Sequence, residues 1–432
     1  MSKILLINPD PIPRVLPPLG ISYIAEVLQK NSHKVEILDI GFEKKINLEN
    51  VDFIGITATT LIYLDAKSII KKIKKINPEI PIIIGGTHAS ILPDFVLKDS
   101  DADAVVVGEG EFIFLEIANK NIKAEGIIYA PIVNNLDDIP FLTYSYLDIK
   151  KYFNYEGTDR IRWSLPQPSI AMVGTRGCPY SCTFCASKSL FGKIVRFRSV
   201  ENIMEEIDFL IKKHKIKSIY FYDDTLTLRK KWMDELCNEL KKRDLKWICG
   251  TRVDAVDKKM LIKMKNSGCK YISYGVESGS NRMLKDVIKK GVTIEKAEEI
   301  IKLTDKIGIG IIANYMFGIP GETEEDLKLT LKAVKRIPAD AAEFSIFIPL
   351  PGTELATNLD WTQYSSKENP YHVKSKIHTE EFSEKIAYYH SKSIKSFYFS
   401  PKFLMRQTKM IFRPKQLFFA FKSLFRLIKN LI

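Results

Sequence analysis

Ser169-Ile-Ala-Met-Val-Gly-Thr-Arg-Gly-Cys178-Pro-Tyr-Ser-Cys182-Thr-Phe-Cys185 is the stretch on which the reading of this chain turns. It opens with the apolar pattern of a strand over 169–174 and runs into a loop with three cysteines. Further strand patterns follow at 218–222, 246–250, 271–276, 310–317 and 343–348, with helical patterns such as Ile203 to Ile211 and Trp232 to Leu240 between them. Such alternation predicts parallel strands joined by crossover helices. Six units are too few for an eightfold barrel, which takes about 250 residues, so a partial (β/α)6 barrel is expected over 169–353. Barrels of this kind carry their chemistry on the loops after their strands, and the cysteine loop is the first of these.

Upstream, a second alternating series fills residues 1–130. Strand patterns at Ile4 to Ile7, Val35 to Leu38, Phe53 to Ile56, Ile82 to Ile84 and Ala104 to Val107 alternate with helical ones at Leu19 to Leu28 and Ala66 to Ile76. Continuous apolar strands of this kind predict a doubly wound, flavodoxin-like parallel sheet. Residues 131–168, with Pro131, Pro140, Pro166 and Pro168, read as a connector, and 354–432 as a helical C-terminal region.

The chain has 432 residues, 45% of them hydrophobic, enough for two or three separate cores. No signal-peptide pattern is visible at Met1-Ser2-Lys3 and no apolar run approaches the ~20 residues of a membrane span, so a cytoplasmic protein is expected. In that compartment a tight cysteine trio points to a metal or catalytic site, not to a disulfide framework. Cys237, Cys249 and Cys269 are scattered among apolar residues and read as buried thiols. Thiolates suit iron–sulfur clusters, and three ligands leave one iron of a 4Fe-4S cubane open. Structural zinc would want a fourth Cys or His, and none follows at a suitable spacing.

The cysteine loop resembles that of the radical S-adenosylmethionine (SAM) superfamily, whose signature is CxxxCxxC with an aromatic before the last Cys, here Phe184. The resemblance covers roughly 165–350. It implies that Cys178, Cys182 and Cys185 hold the cluster and that SAM chelates the open iron and is cleaved to a 5′-deoxyadenosyl radical. Later strand ends match the family's SAM-binding places: Asp223 in Tyr222-Asp223-Asp224, Arg252 after Thr251, and Glu277 in Gly275-Val-Glu277-Ser-Gly279. Gly318 and Gly321 in Gly318-Ile-Pro-Gly321-Glu322 match the adenine side.

In the first domain, Thr57-Ala-Thr59-Thr60, Gly85-Gly86-Thr-His88 and Gly108-Glu-Gly110-Glu111 follow strands. An open α/β sheet binds ligands at such an edge, although a bare scaffold with glycine turns reads the same from these residues. The order of domains, Pro17-Pro-Leu-Gly20 and Gly85-Gly-Thr-His88 resemble the cobalamin-binding subfamily, which includes the anaerobic magnesium-protoporphyrin cyclase and the hopanoid methylase. That implies a cobalamin site touching Thr57, Thr59, Gly85, Gly86, His88 and Gly108. The first loop, Asn8 to Arg14, has no histidine, so the cobalamin would lack a histidine ligand from it, and His88 reads as a turn or cofactor-edge residue.

The net charge is +13, and ten Lys or Arg with no Asp or Glu lie from Lys392 onward. On a helix over 415–432, Lys415, Lys422, Arg426 and Lys429 share a stripe about 60° wide. Phe419 alone breaks its polar flank, and Leu417, Phe421, Leu424, Phe425 and Ile428 lie opposite. The pattern fits a helix in an anionic membrane interface or one packed on protein; nucleic acid fits poorly, since most of the aromatics are not interleaved with the bases.

The reading is a radical SAM enzyme that methylates an apolar, lipid or tetrapyrrole-like substrate with cobalamin, supplied by a low-potential electron donor. The alternatives are radical cyclisation or oxidation without methyl transfer, and a non-catalytic cobalamin or redox sensor, which would have no need of the SAM motifs. Methylthiolation is set aside because its catalysts carry a second cysteine trio upstream and no Cys precedes Cys178. No residue stands out as the catalytic acid or base. Replacing Cys178, Cys182 or Cys185 by Ala should abolish the brown absorbance and SAM cleavage, while the same change at Cys237, Cys249 or Cys269 should spare both; an active cluster in Cys182→Ala contradicts the ligand assignment.

Overall fold

The computed structural model describes residues 1–155, 165–357 and 378–407. The helix read over 415–432 lies outside the described residues. Two compact units share the chain, and each is discontinuous. Of the described residues, the first comprises 1–155, 186–210 and 350–357, and the second 165–185, 211–349 and 378–407.

In the first unit, β1 (Lys3–Asn8), β2 (Lys34–Asp39), β3 (Phe53–Thr57), β4 (Ile82–Gly85), β5 (Ala104–Val107) and β6 (Gly126–Tyr129) form one parallel sheet. Its order is β2-β1-β3-β4-β5-β6, the flavodoxin-like winding, which reverses direction between β1 and β3. Strands of Ile and Val are covered on both faces, as a parallel sheet requires. On one face Ile54, Ile56, Ile82 and Ile84 pack with Ile70 and Ile73 of the helix Tyr63–Ile76 and with Val96. On the other face Phe114 lies over Gly55, where a Cβ would come within 2.8 Å of its ring and 2.6 Å of Leu6.

β6 was not evident in the sequence. It is an edge strand of four half-exposed residues with only Ile127-Ile128 as an apolar run. The stretch after it, read as a connector, contributes core: Leu136, Leu142, Tyr144 and Tyr146 are buried. Thr143 donates from its N–H and hydroxyl to the buried Glu26 (2.7 and 2.9 Å), and the Tyr152 hydroxyl donates to Asp39 (2.8 Å).

Residues 186–210 also belong to this unit. Arg196 pairs with Glu109 through both guanidinium nitrogens (2.6 and 2.9 Å). Arg198 pairs with Glu206 (2.6 Å), whose other oxygen accepts from the Leu142 N–H. All four charged side chains are less than a tenth exposed.

The second unit holds β7 (Ser169–Met172), β8 (Ser218–Phe221), β9 (Lys246–Thr251), β10 (Cys269–Glu277), β11 (Gly310–Phe317) and β12 (Ala341–Ile346). These are parallel and adjacent in chain order, the winding of a partial barrel. Leu165, Ile248, Ile312 and Ala341 cluster on the inner face of the curved sheet, with Tyr220 and Tyr271 against them. The helices Glu380–Tyr398 and Pro401–Gln407 complete the described C-terminal region, and among the described residues no helix is long and apolar enough to cross a membrane.

Removing one partner of a buried ion pair strands the other charge at a cost of about 3–5 kcal/mol. Arg198→Met should therefore lower unfolding stability by that order, and Arg198→Met with Glu206→Met should recover most of it. Denaturant melts of the three proteins decide this, and a single variant as stable as the parent would show the pair to be dispensable.

Candidate functional site

Cys178, Cys182 and Cys185 are partly exposed on the loop after β7, whereas Cys237, Cys249 and Cys269 are buried. The loop backbone is pinned from behind. Thr183 donates from its N–H to the Ile288 carbonyl (3.0 Å) and from its hydroxyl to the Val287 carbonyl (2.7 Å). The Cys185 N–H donates to the Cys182 carbonyl (3.1 Å), and Phe184 is half-buried. The three thiols lie on one loop and are free of disulfides, and cysteine thiolates are the donors that a cluster takes.

Arg252, just past β9, is the nearest cation. Its guanidinium reaches the Cys182 sulfur at 3.6 Å and lies 3.6 Å above the Tyr180 ring. It also pairs with Asp254 (2.8 Å) and donates to the Lys290 carbonyl (2.6 Å). Burial pushes the Cys182 thiol up, while Lys290 and Arg252 oppose that shift by favouring the thiolate.

Lys290 is a site residue that the sequence did not reveal. Its ammonium pairs with Glu277 (2.8 Å), and both are buried. Glu277 ends β10 at φ 64°, a left-handed conformation that a side chain seldom adopts. That turn folds its carboxylate back over Gly275, where a Cβ would lie 2.2 Å from the Glu277 oxygen and 2.8 Å from the Lys290 nitrogen. Cys182, Arg252, Lys290 and Glu277 therefore form one connected array. The signal in the sequence was slight: a Lys-Lys-Gly turn at 289–291.

Asp223 lies elsewhere, buried behind the loop. It accepts from the Gly174 N–H (3.1 Å), the Thr175 N–H (2.5 Å) and the Thr175 hydroxyl (2.7 Å), and burial raises its pKa to about 7. Its place is to hold the backbone three to four residues ahead of Cys178. Gly318 and Gly321 both take positive φ, 77° and 80°. The Gly318 N–H donates to Glu322 (2.6 Å), its carbonyl meets His378 Nε2 (2.8 Å), and Ile386 covers its Cα, while Gly321 faces open space. Burial raises Glu322 to about 7.

In the first unit Thr57, Thr59, Gly85 and Gly108 lie along the C-terminal edge of β3, β4 and β5, with Thr57 paired to Gly85 in register. Thr59 and Gly108 are exposed. Gly86 serves a different purpose: a Cβ there would strike the Ala58 backbone at 2.7 Å, so its missing side chain makes room for protein. His88 is 3% exposed, tilted against the Tyr63 ring (4.5 Å) and within 3.2 Å of the Thr60 hydroxyl. Burial lowers its pKa to about 4, which keeps it neutral. His33 is tied to Ser2 and Asn119. Among the described residues, then, this unit has a glycine-lined edge that could take a corrinoid, with the imidazole of His88 buried beneath it.

Two family models match the chain: the radical SAM superfamily over 172–334 and the B12 binding domain over 10–118. An uncharacterized methyltransferase of Pyrococcus horikoshii is 33% identical over 94% of each chain. The chain belongs to the radical SAM superfamily, in the group with a B12-binding domain. It is an enzyme, and its cofactors are a 4Fe-4S cluster, SAM and cobalamin. It is also similar to the cytidylyl-2-hydroxyethylphosphonate methyltransferase of Streptomyces wedmorensis, 27% identical over 82% of this chain and 81% of the other. The fold is that of the radical SAM methyltransferase TsrM of Kitasatospora setae, solved with cobalamin and a 4Fe-4S cluster bound. The TM-score is 0.69 at 19% identity, with 82% of this chain and 77% of the other covered.

Glu277 and Lys290 carry the charges that would complement the amino and carboxylate groups of SAM. Charge-assisted hydrogen bonds contribute about 1.5–3 kcal/mol each. Glu277→Gln should therefore weaken SAM by about tenfold to a hundredfold in anaerobic equilibrium binding while iron and sulfide contents stay at parental levels. Unchanged affinity would remove Glu277 from the site.

Proposed function

We propose that the protein is a cobalamin-dependent radical SAM methyltransferase acting on an apolar substrate. The observation that carries the methyl-transfer reading is the 33% identity over 94% of both chains to a methyltransferase. When bound, the cluster supplies one electron from a low-potential donor to cleave SAM, and the corrinoid carries a methyl group. The protein's own part is to place these groups. Cys178, Cys182 and Cys185 hold the cluster, Arg252 fixes the loop at Cys182, and Glu277 with Lys290 orients SAM. Thr57, Thr59, Gly85 and Gly108 line the edge that takes the corrinoid.

The inner face of the barrel supports an apolar substrate. Above the layer of Leu165, Ile248, Ile312, Ala341, Tyr220 and Tyr271, Tyr222 lies two residues along the same strand face as Tyr220 and is 60% exposed. Its ring stands 4.9 Å from that of Tyr220. Such a wall suits a flat or aliphatic molecule and excludes water from radical chemistry. The Streptomyces relative is named for a cytidylyl phosphonate, so the group is not uniform in substrate, and the aromatic wall is what favours an apolar one here.

The test supplies the anaerobic holoenzyme with SAM labelled on its methyl carbon, dithionite and a total lipid and pigment extract. S-adenosylhomocysteine and 5′-deoxyadenosine should both form, with label entering the organic phase. Label confined to the aqueous phase refutes the apolar substrate. 5′-Deoxyadenosine without S-adenosylhomocysteine refutes methyl transfer and favours cyclisation or oxidation, and neither product favours a sensor.

A further inference from the structure

We propose that the C-terminal surface of the second unit, around the helix Pro401–Gln407, docks on an anionic lipid bilayer. Three large apolar side chains stand exposed within seven residues: Phe399 (51%), Leu404 (53%) and Met405 (65%). Single exposed apolar residues are ordinary, but such a cluster marks an interaction surface. Beside it opens a cleft of about 870 Å³ whose apolar walls include Val334, Ile337, Phe397 and Phe403 and whose rim carries Lys335 and Lys402.

The helix presents this surface rigidly. Arg406 turns inward to Asp305 (2.6 Å) and Asp340 (3.1 Å). Phe403 packs on the rings of Phe397 (5.2 Å) and Tyr398 (5.0 Å). With Phe403 and Arg406 fixed inward, Lys402, Leu404 and Met405 are left on the outer side, all exposed.

Charge selects the occupant. Arg406 is neutralised by its two aspartates, but Lys335 and Lys402 have no acidic partner among the described residues. The sequence continues the trend, with ten basic and no acidic residues from Lys392 onward, interspersed with Phe, Leu and Ile. An apolar patch edged by lysines with no acidic partner among the described residues matches the headgroup–acyl boundary, where aliphatic chains insert and lysines meet phosphates. Nucleic acid would call for aromatics interleaved with the bases, and the outer side of this helix shows Leu404 and Met405 instead.

The full-length holoenzyme is sedimented with vesicles of equal parts phosphatidylglycerol and phosphatidylcholine, and with phosphatidylcholine alone. It should bind the former and release as salt rises from 0.1 to 1 M, where the Debye length shrinks from ~10 to ~3 Å. At about 1 kcal/mol for each basic residue near such a surface, Lys335→Gln with Lys402→Gln should lower the affinity roughly thirtyfold. Leu404→Ser with Met405→Ser should also weaken binding, and with both residues exposed the melting temperature should hold. Equal binding to both vesicle types, no binding, binding to RNA in place of vesicles, or parental binding by both double variants would overturn the proposal.

Discussion

The guanidinium of Arg252 is the contact on which the site depends. A planar cation with five donors can do several things at once, and here it stacks on Tyr180, touches the Cys182 sulfur, pairs with Asp254 and grips the Lys290 carbonyl. Lysine could supply the charge but neither the stacking plane nor the fork. Through the Lys290 carbonyl the same group steadies the residue that clamps Glu277. The Cys182 sulfur and, by way of Lys290, the Glu277 carboxylate are thus linked to one side chain at the end of one strand. Arg252 and Lys290 place positive charge beside Cys182 and oppose, without cancelling, the upward shift that burial imposes on its thiol.

A second constraint is the winding of the sheets. The partial barrel keeps its strands in chain order, so four of its strand ends bring site residues to one side: the cysteine loop, Arg252, Glu277 and Gly318 in turn. The flavodoxin-like sheet reverses between β1 and β3, and its glycine edge follows from that reversal. Two different parallel topologies therefore give one chain two ligand edges of different character, one with thiols and charged side chains, the other with small residues and threonines.

Much of this was legible in the sequence because it rests on local signals. Runs such as Ile82-Ile-Ile84 are long enough to mark strands buried on both faces, and the cysteine spacing names its chemistry. What was missed depends on distant partners. Lys290 becomes a site residue only because β10 turns Glu277 back toward it. Asp223 reads as a ligand contact at a strand end; that it also accepts from Gly174 and Thr175, across 49 and 48 residues, is something no periodicity reveals. Nor does the sequence reveal that a Cβ at Gly86 would strike the Ala58 backbone. β6 escaped because an edge strand needs little apolar character to pair on one side.

The two buried ion pairs of the first unit bear on how the chain is made. Glu109 lies in the loop after β5, and its partner Arg196 comes 87 residues later. Leu142 likewise waits for Glu206. A ribosome extends the chain at about 5–20 residues per second, so for several seconds Glu109 can have the Val133 N–H but not yet the Arg196 guanidinium. The first unit reaches its final form only after the cysteine loop has emerged. Synthesis thus imposes an order: the cluster ligands are already made when Glu109 meets Arg196.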